Sequence, residues 1–206
     1  MQQKRSEVST MDLSRIELPE GLTLSETEAG FALALRPAFP MTEARCLAVV
    51  CALWVREAAG GNGKLFWPNR VEMEGEPVCA VTCRAAASGE LIFSFAPTPA
   101  LPVSAASFAR DVASAAAQDL AAYPSKRPSL MDRYCMTCET VKKFVDVVYR
   151  GMPLYGFAFA VDKHGGLMVM TQESRTIVTI YGGQARIVPK EDEPENAPEM
   201  PSMPHI

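Results

Sequence analysis

Histidine is scarce in this chain of 206 residues, long apolar runs are missing, and there is no excess of positive charge. The two histidines, His164 and His205, stand far apart, which removes the clustered imidazoles on which many metal and acid–base sites are built. The longest apolar run, Cys46 to Val55, is about half of what crosses a bilayer and is bracketed by Arg45 and Arg56. Met1-Gln-Gln-Lys-Arg-Ser-Glu7 has no apolar run behind it and does not read as a secretory signal, so a cytoplasmic location and no membrane partner are expected. The formal net charge is -4, and the stretch from Lys190 onward accounts for it, with five acids against one lysine. A neutral body exerts no general pull on phosphate backbones, so nucleic acid is not an expected partner.

The six cysteines fall in close pairs: Cys46/Cys51, Cys79/Cys83 and Cys135/Cys138. Cys79 and Cys83 lie in a strand-like run, where four residues span roughly 13 Å, too far for a disulfide. Reduced thiols serving as small core residues are expected. Cys135-Met-Thr-Cys138 has the spacing of half a zinc knuckle or of a redox pair. No second Cys/His pair lies nearby, and no strand precedes the motif, so packing is the favoured reading and no metal is expected.

What is present is a core. Hydrophobic residues make up 48% and charged residues 21%, which suits one packed domain with a small appendage. Residues 1–20 are polar and expected to be flexible. Gly30 to Arg36 alternates as a strand does and ends at Pro37. Thr42 is a candidate helix cap, followed by Leu47, Val50, Cys51, Trp54 and Val55 at helical spacing, with Gly60-Gly61 as the stop. Four strand-like runs follow (Lys64–Trp67, Val71–Met73, Val78–Arg84, Leu91–Phe95), separated by turn signals, and predict an antiparallel meander. An Ala-rich helix is expected from about Ser104 to Tyr123, then a short helix carrying Met131, Tyr134 and Cys135. Five further strand-like runs between Val141 and Val188 predict a small barrel. In its turn Asp162-Lys-His-Gly165, Asp leads and Gly takes positive φ, and His164 at the tip is expected in solvent. From Lys190 on, Pro and Glu alternate without an apolar period, and disorder is expected.

Two passages carry a resemblance. Lys64-Leu-Phe-Trp67-Pro68-Asn69-Arg70 followed by Gly75-Glu-Pro77-Val-Cys-Ala80-Val resembles the Lys-Trp-Pro-Asn-Asp and Gly-x-Lys-x-x-Gly segments of biotin protein ligases. Tyr149-Arg-Gly151 through Gly156, Val161-Asp162-Lys-His-Gly165-Gly-Leu167 and Tyr181-Gly-Gly183 is similar to the small C-terminal barrel of that family. The similarity covers roughly residues 28–189. It implies an α+β fold: a ligase-like sheet with packed helices over 21–139, an SH3-like β-barrel over 140–189, and flanks at 1–20 and 190–206.

The departures bear on function. Activating a carboxylate with ATP makes an anionic adenylate, which needs cations and backbone N–H groups around its phosphate. The family supplies them from a Gly/Arg-rich loop; in residues 1–40 the cations are Lys4, Arg5, Arg15 and Arg36, none beside a glycine. Pro77 stands where the family has a lysine, Ala80 where it has a glycine and Arg70 where it has an acid. The resemblance with these departures implies a pseudoenzyme with no catalytic residues. It would act by binding a biotin-related ligand, a biotin-accepting carrier domain or a partner protein. The alternative is half of a split ligase, completed by a complementary chain, for which biotin and ATP would be needed. Otherwise no cofactor is expected. Candidate ligand contacts are Trp67, Asn69, Arg70 and Ala80, with Arg70 suited to an anionic group; Trp67 as a plain core aromatic is the competing reading. Gly156, Asp162, Gly165 and Gly183 are the family-like positions of the barrel.

Overall fold

The computed structural model describes Leu18, residues 20–189 and Glu191. The expected flexible N-terminus and acidic tail therefore lie almost wholly outside the described residues. Among the described residues the architecture is α+β, with two antiparallel sheets and three helices.

The first sheet holds β1 (Leu22–Thr27), β2 (Gly30–Leu35), β3 (Lys64–Phe66), β4 (Arg70–Met73), β5 (Glu76–Ala85) and β6 (Leu91–Pro97) in the order β1-β2-β6-β5-β4-β3. The meander from β3 to β6 forms as its turn signals predict, and β6 returns to pair with β2, Leu33 opposite Phe93. β1 is absent from the sequence expectation. Of its residues only Leu22 is buried, so this edge strand carries no alternation and is held by its ladder to β2.

Helix α1 (Leu47–Ala58) is apolar on nearly every side and is buried accordingly. It touches β3, β4 and β5 as well as α2 (Ala105–Leu120) and α3 (Arg127–Thr137). Thr42 does not cap α1. The Tyr123 hydroxyl donates to the Glu43 carbonyl, and tight turns run from Pro40 to Leu47, so α-helix begins only at Leu47. Ser104 does cap α2, its Oγ accepting the Ser107 N–H at 3.2 Å. One buried carboxylate ties the three helices together: Asp119 Oδ2 accepts from Trp54 Nε1 at 2.9 Å and from Arg133 at 2.7 Å. No helix among the described residues is long and apolar enough to cross a membrane.

The second sheet contains β7 (Lys143–Tyr149), β8 (Met152–Val161), β9 (Leu167–Thr171), β10 (Ile177–Ile180) and β11 (Ala185–Ile187), ordered β10-β9-β8-β7-β11. Arg150 and Gly151, both at positive φ, make the two-residue turn between β7 and β8. No ladder joins β10 to β11 among the described residues, so the barrel expectation is met only as a five-stranded sheet. That sheet must curl. Flat, its outer strands would lie about 19 Å apart, whereas five residue steps from Ile180 to Ala185 reach at most about 17 Å.

A single buried core runs through both sheets. Val145, Val147, Ala158, Leu167 and Val169 of the second belong with Leu65 and Phe93 of the first and with Trp54 of α1. The seam is also hydrogen-bonded: Leu65 bridges to Cys138, and the Glu139 N–H donates to the Leu65 carbonyl at 2.8 Å.

Candidate functional site

Where β3 ends, Trp67-Pro68-Asn69 is held from four directions. The Trp67 N–H donates to Thr140 Oγ1 at 3.0 Å, and its indole N–H donates to the Gly165 carbonyl at 3.0 Å. The Pro68 carbonyl accepts the Tyr134 hydroxyl at 2.7 Å. Asn69 Nδ2 lies 3.3 Å from the Ala48 carbonyl and 3.4 Å from that of Val81, linking α1 to β5. This rigid strip forms part of the wall of a cleft of about 570 Å³, within the range of small-molecule sites. The remaining walls are the turn leading into α1, β5 from Val81 to Ala85, the tip at His164-Gly165, and Tyr181.

The tip is built by Asp162. Its Oδ1 accepts the backbone N–H groups of His164 and Gly166, each at 2.8 Å, while Oδ2 accepts the Tyr181 hydroxyl. The Gly165 N–H closes the turn onto the Asp162 carbonyl at 3.0 Å, as the Asp-x-x-Gly spacing predicts. Gly165 has φ of +88°, and a Cβ there would stand 3.3 Å from Cys46 Cα and 3.2 Å from Val49. Glycine thus lets the tip lie against α1. Burial works to raise the Asp162 pKa, but the donors from Tyr181, Gly166 and His164 outweigh it and hold the carboxyl below its usual value. The same contact raises the Tyr181 phenol.

Among the described residues the cleft holds no ready nucleophile. Burial pushes the Cys83 thiol up to about 11 and Cys79, four residues away on β5, up to about 12. Cys51, across on α1, is raised well above its ordinary value, mainly by burial. Such thiols stay protonated near neutrality, and of the three only Cys83 lines the cleft, as an apolar side chain. Among the described residues no group of three or more His, Cys, Asp or Glu is placed to hold a metal.

Of the residues singled out in the sequence, Trp67, Asn69 and Gly165 line the cleft. Trp67 satisfies both readings of it, being 2% exposed yet part of the wall. Arg70 and Ala80 do not line the cleft. Arg70 is exposed, pairs with Glu72 at 3.0 Å and lies over the Phe66 ring at 4.8 Å. Its sign reversal therefore places no cation in the site. Ala80 is exposed on β5. Gly156 serves strand approach, because a Cβ would sit 2.4 Å from the Met170 carbonyl oxygen; Gly183 has φ of +92° in the turn before β11. His164, expected in solvent, is half-buried and lines the cleft, since the tip folds onto α1 instead of projecting. Arg45, Cys83 and Arg84 are lining residues that sequence reasoning passed over. A hint existed for Arg45, a lone cation at the head of the most apolar helix.

No protein-family model matches the chain, and no curated protein matches it by sequence. Solved structures do. Biotin protein ligase from Aquifex aeolicus superposes with a TM-score of 0.61 at 16% identity, covering 79% of this chain and 83% of that one. The same enzyme in complex with biotin and ATP gives 0.57 at 14% identity, over 79% of each chain. A biotin protein ligase-like protein of unknown function from a Silicibacter species gives 0.60 at 16% identity, over 73% of this chain and 77% of that one. The chain has the fold of the biotin protein ligases.

Proposed function

We propose that the chain is a non-catalytic protein of biotin protein ligase type that binds a biotin-related ligand in the cleft between the first sheet and the Asp162 hairpin. One observation carries the reading: the cleft is walled by a rigid Trp-Pro-Asn strip and by apolar side chains, and among the described residues no nucleophile–base pair faces it. The site is equipped to hold a molecule. Pro77, standing where the resemblance calls for a lysine, is exposed and has neither charge nor N–H to offer a phosphate. The fold shared with biotin protein ligases supports a biotin-related ligand, and a biotin-accepting carrier domain is the partner such a binder would meet. We read the curled second sheet as an SH3-like barrel whose hairpin closes one end of the cleft.

The test is calorimetric titration with biotin and with a non-hydrolysable biotinyl-adenylate analogue, alongside an assay of biotin transfer to a carrier domain with ATP. Saturable binding without pyrophosphate release or labelling is expected. ATP-dependent labelling, by the chain alone or after mixing with a complementary chain, would overturn the non-catalytic reading in favour of a split ligase.

A further inference from the structure

The second sheet carries a groove of about 290 Å³ that shares no lining residue with the Trp67 cleft. Tyr149, Met152, Pro153, Leu154 and Tyr155 line it, with the turn from Thr171 to Ser174 along one side. Tyr155 stacks on Phe144 at 5.7 Å and packs against the cluster of Phe144, Phe157 and Val188. Val188 directly follows β11, so the chain leaves the sheet beside the groove. Met152 is 68% exposed, which leaves apolar surface there to be covered.

Charge is divided along the chain. Residues 140–189 hold six cations against three acids, and residues 190–206 hold five acids against one lysine. Of the three acids, Asp146 pairs with Arg186, Asp162 accepts three hydrogen bonds, and Glu173 lines the groove. Arg150 lies over the Tyr149 ring at 5.1 Å, and Arg175 follows Ser174. Both are exposed, and among the described residues neither has a carboxylate within ion-pair distance.

The acidic segment has a period of its own. Pro198, Pro201 and Pro204 stand three residues apart. A polyproline II helix has three residues per turn and no internal hydrogen bonds, so this spacing sets the prolines in one row. Aromatic-lined grooves take such rows, because proline's fixed φ leaves little entropy to lose on docking. Residues 190–197 separate the sheet from the first of these prolines, a reach of up to about 26 Å.

We infer that the groove is a polyproline II recognition site whose occupant is the Pro198-Glu-Met-Pro201-Ser-Met-Pro204 segment of the same chain. The prolines lie on Tyr149 and Tyr155, and the acids ahead of them face Arg150 and Arg175. The tether keeps the segment at high effective concentration, so weak contacts suffice. The site lies apart from the Trp67 cleft and stands or falls independently of the ligand proposed there.

The test places a photoreactive benzoylphenylalanine at Met203 in the full chain, mixed with an equal amount of isotopically heavy chain. After irradiation, cross-links are mapped by mass spectrometry. They should fall within one chain, on residues 149–155 and 171–174. Changing Pro198, Pro201 and Pro204 together to Ala should lower their yield about fivefold or more, since both the contacts and the fixed φ are lost. These positions lie outside the two sheets, so hydrogen exchange of β7 to β9 should stay protected. Arg150→Asn, which keeps a residue tolerant of positive φ in its turn, should lower the yield about twofold. Cross-links to the Trp67 cleft or spread over the whole surface would overturn the inference, as would a yield unchanged by loss of the prolines. Cross-links between light and heavy chains would overturn the assignment of the occupant to the same chain.

Discussion

The two sheets bury very different things. The first, with its helices, encloses the large side chains: Phe31, Trp54, Phe93, Phe95 and Phe108 are all within 1% of complete burial. The second contributes mostly Val, Ala and Leu to that same core. Its own satellite cluster is Phe144, Phe157 and Val188, and it leaves Val148, Met152, Ile177 and Tyr181 more than half exposed. A small curled sheet has too little interior of its own and completes its burial on its neighbour. The cleft lies at this seam: the Trp67 indole meets the Gly165 carbonyl on one side, and Val81 to Ala85 line another wall.

If the second sheet does depend on the first, the largest loss should come at the seam. Trp67→Ala should cost about 3–5 kcal/mol in urea unfolding, as large aromatic truncations in cores do, and should unfold both sheets in one transition. Two separate transitions in the wild type would break the comparison. Next comes a change confined to the first region. Asp119→Ala leaves the Trp54 indole N–H and Arg133 without their acceptor and should cost about 2–3 kcal/mol. Hydrogen exchange should show sub-global opening of α2 and α3 that β7 to β9 do not share.

A change confined to the second region should cost less. Asp162→Ala frees two backbone N–H groups and the Tyr181 hydroxyl at a partly exposed tip, for about 1–2 kcal/mol. Its pH dependence has a definite sign. The folded carboxyl titrates below its unfolded value, so its contribution is complete above that value, about 3.9, and is lost as pH falls through the lower, folded value. The stability gap between wild type and Asp162→Ala should therefore be constant from pH 5 to 7 and narrow below about pH 4. A gap that widened in acid would show that the hydrogen bonds to the carboxylate are not what holds the tip. The smallest effect belongs to Arg70→Ala. An exposed pair with Glu72 and a stacked Phe66 should be worth less than about 1 kcal/mol by thermal unfolding.

The sequence by itself determined the meander, the three helices and the hairpin at Asp162, because each rests on local chemistry: alternation in Leu91-Phe93-Phe95, the Ser104 cap, and an Asp-x-x-Gly turn that closes on its own backbone. Trp67 and Asn69 were legible as site residues because they belong to a contiguous motif. Only the tertiary structure decided β1, whose polar residues hold a strand through pairing with β2 and not through pattern. It also decided which cations face the cleft. Arg70 sits beside the Trp-Pro-Asn motif in sequence, but on the strand it shares a face with Glu72 and pairs there. Arg45, Arg84 and His164 come from three elements with no sequence proximity, and meet only because the Asp162 hairpin folds against the head of α1. Local rules fix which way a strand or turn is made; which side chains share a cleft depends on contacts between residues far apart in the chain, such as Trp67 with Gly165, 98 positions on, and no local pattern encodes those.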